Sequence, residues 1–87
     1  GNPEPLFCCG PAFIREVRRM GADRTHIAFR AAEAPSGPSW DCVGFGLGEL
    51  GETLTKAEKA ALCFKVRLDA WNGMLRPRLF VADAKIA

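Results

Sequence analysis

An Asn-Gly pair near the C terminus, between two segments of alternating polarity, is the strongest constraint on the fold of this chain. Asn72 and Gly73 separate LCFKVRLDAW from MLRPRLFVAD. Alternation with a period of two indicates a strand with one buried face. Because Asn and Gly both accept positive φ, the pair predicts a type I′ hairpin that joins strands at 61–71 and 75–86. The predicted inward side chains are Leu62, Phe64, Val66 and Leu68, and the predicted outward ones are Cys63, Lys65, Arg67 and Asp69.

Three more strands are predicted upstream of the hairpin. Residues 11–20 and 40–46 are rich in apolar and β-branched side chains, which is typical of strands. Residues 25–34 alternate in part, with Ile27 and Phe29 on one face. A GADR turn and a PSGPS loop separate these segments, because glycine, proline, serine and aspartate favour turns.

The segment that precedes the hairpin supports two interpretations. Residues 47–54 predict a short helix, and Thr55 with Glu58 fits a capping box that favours further helix. The alternation that begins at Leu62 instead favours a strand. We therefore predict a turn or a frayed helix end at 55–60.

The predicted order of elements is three strands, a short helix and a two-stranded hairpin. An all-β, five-stranded OB-fold barrel with a short helix between strands 3 and 4 has this order. An open α+β sheet remains the alternative. Pro77 has no amide proton to donate, so we expect an edge or a bulge there. Trp40 opens the third strand and is expected to lie in the core.

The length and the opening residues indicate how the chain is organised. A chain of 87 residues suits one small domain. Residues 1–10, GNPEPLFCCG, are rich in proline and glycine and are predicted to be an interdomain linker. The OB-fold domain is then predicted to span 11–87, as a piece of a longer protein.

The cysteines are expected to be free thiols in a reducing cytoplasm. Cys8 and Cys9 are adjacent, whereas Cys42 and Cys63 lie inside apolar runs where a thiol packs as a small hydrophobic group. No Cys-x-x-Cys spacing occurs and His26 is the only histidine, so no metal site is predicted. No secretory signal or apolar run of membrane-spanning length occurs either, so no membrane association is predicted.

Four segments resemble a known family when they are taken in order. GNPEPLF, THIAF, FGLGEL and LDAWNGMLRPRLFVAD are similar to the C-terminal OB domain of RecJ-type exonucleases, which are specific for single-stranded DNA. The resemblance implies a noncatalytic domain of a 5′–3′ exonuclease that helps to bind and position single-stranded DNA. It also implies that Mn²⁺ or Mg²⁺ binds to the parent's catalytic domains and that this segment carries no cofactor. The expected partners are single-stranded DNA and the N-terminal nuclease domains of the same chain.

Candidate DNA-binding residues follow from what single-strand binding requires. An OB-fold combines a basic groove for phosphates with flat side chains that stack on bases, often at the β1–β2 and β4–β5 connections. The net charge of +2 is too small to indicate such binding by itself. The candidates are Arg18, Arg19, Arg24, Arg30, Lys65, Arg67, Trp71, Arg76 and Arg78.

Each candidate also has a structural interpretation. The basic side chains are equally typical of solvated strand faces, and Trp71 equally typical of cross-strand packing beside a tight turn. His26 is expected to be structural. The alternative function is therefore a protein-interaction module that braces the nuclease domains without contacting DNA.

Overall fold

A computed structural model describes residues 4–86, apart from the side chain of Trp71. In order along the chain, the elements are β1 (Phe7–Met20), β2 (His26–Ala32), β3 (Trp40–Gly44), α1 (Leu50–Lys56), β4 (Lys59–Trp71) and β5 (Met74–Ile86). The strands form a closed barrel in the order β1-β2-β3-β5-β4. The pairing of β3 with β5 is parallel, and the other pairings are antiparallel. The OB-fold prediction is confirmed, and the open sheet is excluded.

β1 closes the barrel because it pairs with two different strands. Its first half pairs with β4 from Phe7 onward, and its second half pairs with β2. The β1–β2 register shifts between Arg15 and Arg18, and Glu16 has a φ of 54°. An irregularity of this kind bends a strand and increases its twist, which lets one long strand follow both neighbours. β1 begins inside the segment expected to be a linker, and the division at residue 10 stays a prediction.

α1 covers the end of the barrel where β2 begins. Leu54 is 1% exposed and joins the core cluster with Ile27 and Leu62. Gly48 brings the chain into position, since its amide donates to the Thr25 carbonyl at 2.8 Å and a Cβ there would collide with neighbouring backbone. α1 begins earlier than the suggested capping box, so that box does not start a helix.

The hairpin has the predicted turn. Asn72 and Gly73 have φ values of 50° and 74°, which confirms the type I′ turn. Pro77 pairs with Leu68 of β4, whereas the described β3–β5 ladder begins only at Arg78. Pro77 therefore lies where β5 has a single neighbour in the described ladders, which confirms the edge position.

Three apolar side chains are exposed, although Val66 and Leu68 are predicted to face inward and Trp40 is predicted to lie in the core. Val66 and Leu68 are 43% and 65% exposed, and Trp40 is 48% exposed. The prediction is wrong for these residues because the hairpin extends past the barrel and β3 begins at its open end. Alternation identifies which face of a strand points inward, but it does not reveal where the barrel stops covering that face.

The free-thiol prediction is wrong for two of the four cysteines. Cys8 and Cys63 form a disulfide, because they are direct partners in the β1–β4 ladder with Cα atoms 4.1 Å apart. Cys9 is free and exposed, and Cys42 is free and buried. A separation of 55 residues conceals this register in the sequence. The cytoplasmic location stays a prediction.

The helix of this domain is short compared with one that crosses a membrane. α1 is 7 residues long, and no helix within residues 4–86 combines the length and apolarity that crossing a bilayer requires.

The cysteines should differ sharply in reactivity. Burial raises the pKa of the Cys42 thiol to about 12, with a further contribution from Asp41, so this group stays protonated and unreactive. Iodoacetamide should therefore modify Cys9 alone in the native, unreduced chain, as measured by mass spectrometry. Reduction should add Cys8 and Cys63, and Cys42 should react only after unfolding in urea. Labelling of Cys63 without reductant would contradict the disulfide, and Cys9→Ser provides the unlabelled control.

Candidate nucleic-acid interface

A row of charged side chains crosses the outer face of the barrel. Arg15 pairs with Arg30, Arg30 with Asp41, Asp41 with Arg78, and Arg78 with Arg67. Directly opposed residues in neighbouring strands point to the same face of a sheet. The ladder therefore places four guanidinium groups and one carboxylate in a single line across all five strands.

Part of this line forms a groove, here called the arginine groove. Its charged lining residues are Arg18, Arg30, Arg76, Arg78, Glu16, Asp41 and Asp69, and its volume is about 220 Å³. Four cations thus face three carboxylates. The excess of positive charge is small, so the pairing of each arginine determines what the groove can bind.

Arg30 is held by several acceptors. Its Nε donates to Ser39 Oγ at 2.6 Å and its Nη2 to the Ser39 carbonyl at 3.3 Å. Its Nη1 forms an ion pair with Asp41, and Glu16 lies 3.8 Å from Nε. Because its side chain is only 31% exposed and its donors are already used, Arg30 mainly supports the groove by holding Ser39 and Asp41 in place.

The other groove arginines are less constrained. Arg78 donates to Asp69 at 3.2 Å, and Arg76 reaches the second oxygen of Asp41 at 3.5 Å. Within residues 4–86, Arg18 has no hydrogen bond or ion pair from its side chain. Arg18 is therefore the groove cation whose donors are most available to a ligand.

Two predicted residues lie on the side of the barrel next to α1. Arg19 and Arg24 line a shallow depression of about 300 Å³ with Glu52 and Thr55, and Arg18 borders it too. The stem of Arg19 packs on the helix, since a Cβ on Gly51 would lie 3.3 Å from its Cγ. The structure therefore separates these two arginines from most of the arginine groove.

Lys65 and Arg67 lie on the outer face of the hairpin. Arg67 donates from Nε and Nη2 to the two oxygens of Glu4, at 3.0 and 2.8 Å, and its Cζ lies 5.0 Å from the centre of the Phe80 ring. These hydrogen bonds hold the pKa of Glu4 below its ordinary value and raise the pKa of Arg67. The ion pair is therefore intact at neutral pH and is lost only as the pH falls through the lowered pKa of Glu4.

Sequence reasoning missed two aromatic side chains beside the charged row. The rings of Phe45 and Phe80 stack with centres 6.0 Å apart and an interplanar angle of 19°. His26 meets Phe45 edge-on at 5.2 Å and accepts a hydrogen bond at Nδ1 from the Gly46 amide at 2.9 Å, which supports the structural role expected of it. The sequence predicts a strand over 40–46, whereas β3 ends at Gly44 and Phe45 lies in an exposed turn. The side chain of Trp71, the predicted stacking residue, lies outside the described part of the chain.

An apolar cleft of about 760 Å³ opens at the end of the barrel away from α1. Phe7 and Phe64, with ring centres 6.1 Å apart, lie beside the exposed Trp40 and Val66 in its lining. This cleft carries few charges and lies apart from the arginine groove.

The donors needed for a metal site are dispersed. No group of three or more His, Cys, Asp or Glu side chains within the described residues is arranged to hold a metal ion. The described residues of this segment therefore do not by themselves fit the manganese or magnesium site that the resemblance implies for its parent.

Arg30 has several side-chain partners and Arg18 has none among the described residues, so their substitutions should change the free energy of unfolding by different amounts. Arg30→Ala should lower the free energy of unfolding by about 1–2 kcal/mol, because Asp41 and Ser39 lose a half-buried charged donor. Arg18→Ala should change it by less than about 0.5 kcal/mol, as expected for an unpaired surface residue. Urea unfolding followed by circular dichroism measures both. Equal effects would show that Arg30 is not the support of the groove.

Comparisons with known proteins agree with this architecture. The family model of the RecJ OB domain matches residues 1–83. The single-stranded-DNA-specific exonuclease RecJ of Bacillus subtilis (strain 168) is 30% identical over 86 residues, which cover 99% of this chain. The chain spans only 11% of the length of that relative. No solved structure matches it significantly. Since the family model covers nearly the whole chain and the barrel has the expected strand order, the chain belongs to the RecJ OB domain family.

Proposed function

We propose that this domain helps to bind and position single-stranded DNA in a RecJ-like 5′–3′ exonuclease and is noncatalytic by itself. The observation that supports the proposal is the line of arginines across the outer face of the barrel, with the arginine groove at its centre. The B. subtilis relative is named for its specificity for single-stranded DNA. Phosphates are the part of that substrate that guanidinium groups recognise, independently of base sequence.

The groove suits moderate rather than tight phosphate binding. Asp41 and Asp69 already accept hydrogen bonds from groove arginines, so a phosphate must replace one carboxylate partner at Arg78. Arg18 has no such partner among the described residues, so its contact with a phosphate displaces only water. We therefore expect Arg18 to contribute most and Arg78 to contribute next. Weak, sequence-tolerant contacts would let the strand move through an exonuclease without dissociating.

The hydrolytic chemistry belongs to another part of the proposed parent. The dispersed acidic and histidine side chains within residues 4–86 provide no metal cluster, and most of the relative's length lies outside the matched segment. We propose that separate nuclease domains of the same chain bind Mn²⁺ or Mg²⁺, which would activate water for phosphodiester hydrolysis.

A salt titration tests the DNA-binding proposal. The logarithm of the affinity of the 87-residue chain for a labelled oligothymidylate should fall linearly with the logarithm of salt concentration, by about 0.7 per phosphate contact. The double variant Arg18→Ala with Arg78→Ala should flatten this slope by about 1.4. The variant Arg19→Ala with Arg24→Ala, which removes the same charge beside α1, should leave the slope unchanged. Fluorescence anisotropy measures each slope. A wild-type chain that does not bind at low salt would overturn the proposal. A salt slope that flattens only in the Arg19 and Arg24 variant would instead place the binding site beside α1.

The apolar cleft supports a second candidate function, in which the domain braces the parent nuclease domains. Phe7 and Trp40 are 49% and 48% exposed there, and an exposed apolar surface of this kind favours a protein contact. We propose the nuclease domains of the same chain as the occupant, because most of the relative's polypeptide lies outside this segment. This role is compatible with DNA binding, since the cleft and the arginine groove share no lining residue.

The bracing role predicts an effect that only the full-length exonuclease shows. Val66→Asp places a charge in the cleft lining and should lower the melting temperature of the full-length enzyme by several degrees, about 2–4 °C per kcal/mol for a large domain. The 87-residue chain should be affected little, since Val66 is already 43% exposed. Leu75→Asp, at a residue 66% exposed near the hairpin tip, is the control. Differential scanning calorimetry that gives equal shifts for both variants in the full-length enzyme would contradict the bracing role.

A further inference from the structure

Phe45 exposes an aromatic ring in a defined orientation. The residue is 61% exposed, although exposure of an apolar ring to water is unfavourable. Its ring is stacked on that of Phe80, and the planes of the Phe45 and His26 rings meet at a steep angle of 75°. His26 is itself held by the Gly46 amide. The ring is therefore positioned by neighbours rather than free to rotate in solvent.

Burial shows that packing does not account for this position. The core cluster contains Ile27, Leu54 and Leu62 and is surrounded by half-buried apolar residues such as Leu47. Phe45 is in neither group, although it lies in the same turn as Leu47. A ring placed for packing would lose more of its surface to the core.

Phe45 lies next to the phosphate-binding candidates. Its partner Phe80 is two residues from Arg78 along β5 and points to the same outer face, so it belongs to the row of the ladder adjacent to the arginine row. Two residues along a strand span about 6.6–6.8 Å, within the reach of one nucleotide. Arg18 belongs to the row of Phe80, because it pairs with Ala28, which pairs with Val43 beside Phe80.

The Phe80 ring also contacts a cation. Arg67 lies over Phe80 at 5.0 Å and is held there by both oxygens of Glu4. Phe80 thus has two neighbours, the Arg67 cation and the Phe45 ring, and Phe45 is the more exposed of the two rings. A further ring stacked on Phe45 would join this existing group of one cation and two rings.

We infer that Phe45 is a base-stacking residue, which binds one unpaired nucleobase on its exposed face while the neighbouring phosphates contact Arg18 and Arg78. This inference rests on the proposed function and adds a base contact to its phosphate contacts. Stacking tolerates any base, because every base has a π face. The contact also selects against duplex, in which the faces of the bases are covered by their neighbours.

Two oligonucleotides separate base stacking from phosphate binding. One is an oligothymidylate of about 12 nucleotides, within the length that an OB-fold covers, and the other is an abasic strand of the same length and charge. The wild-type 87-residue chain should bind the oligothymidylate more tightly. Phe45→Ala should weaken that binding by about 5- to 150-fold and leave abasic binding and the salt slope unchanged. Phe45→Trp should retain the preference, and Phe45→Leu should lose it.

A matched control and a stability measurement complete the test. Phe7→Ala removes another exposed ring in an aromatic pair, with centres 6.1 Å apart, but in the apolar cleft, and should not change binding. Equal wild-type affinity for both strands, or an unchanged preference in Phe45→Ala, overturns this inference and leaves the proposed function standing. If Phe45→Ala weakens binding and Phe45→Leu restores both the wild-type affinity and the wild-type urea midpoint, Phe45 acts through packing. That outcome also overturns this inference. A wild-type chain that binds neither strand overturns the proposed function together with this inference.

Discussion

β1 hydrogen-bonds to β4 through its first half and to β2 through its second half, and this double pairing turns a five-stranded sheet into a closed barrel. The irregularity at Glu16 supplies the bend, since this residue has positive φ at the position where the register shifts. The pairing with β4 brings Cys8 opposite Cys63, and the pairing with β2 aligns Arg15 with Arg30 at the start of the charged row. The disulfide and the groove therefore depend on the same strand.

Closure also produces two ends of different character. α1 covers one end through Leu54, which is almost fully buried, whereas the other end opens into the apolar cleft. The charged row lies between them on the outer face. The apolar cleft and the arginine groove share no lining residue, so the two proposed contacts, one with protein and one with nucleic acid, can form at the same time.

Carboxylates partly neutralise the positive charge of the arginines on the outer face. Asp41 is paired with Arg30 and Arg76, Asp69 with Arg78, and Glu4 with Arg67. Apart from the half-buried pair of Arg30 with Asp41, these exposed pairs contribute little to stability, but they orient long side chains and lower their attraction for phosphate. Such a surface suits a domain that contacts a moving strand, because each contact can exchange between carboxylate and phosphate at small cost.

Residue types and alternation, which act over a few neighbours, predicted the local elements: the type I′ hairpin at Asn72 and Gly73, a strand within 25–34 and the short helix before β4. The order of these elements predicted the barrel, and the ordered family segments agreed with it. Which residues meet across the barrel follows from the three-dimensional fold, because register between strands distant in the chain leaves no local signal in the sequence. The fold joined Cys8 to Cys63, exposed Trp40 and Val66 at the open end, divided the predicted arginines among separate surfaces, and placed Phe45 beside Phe80.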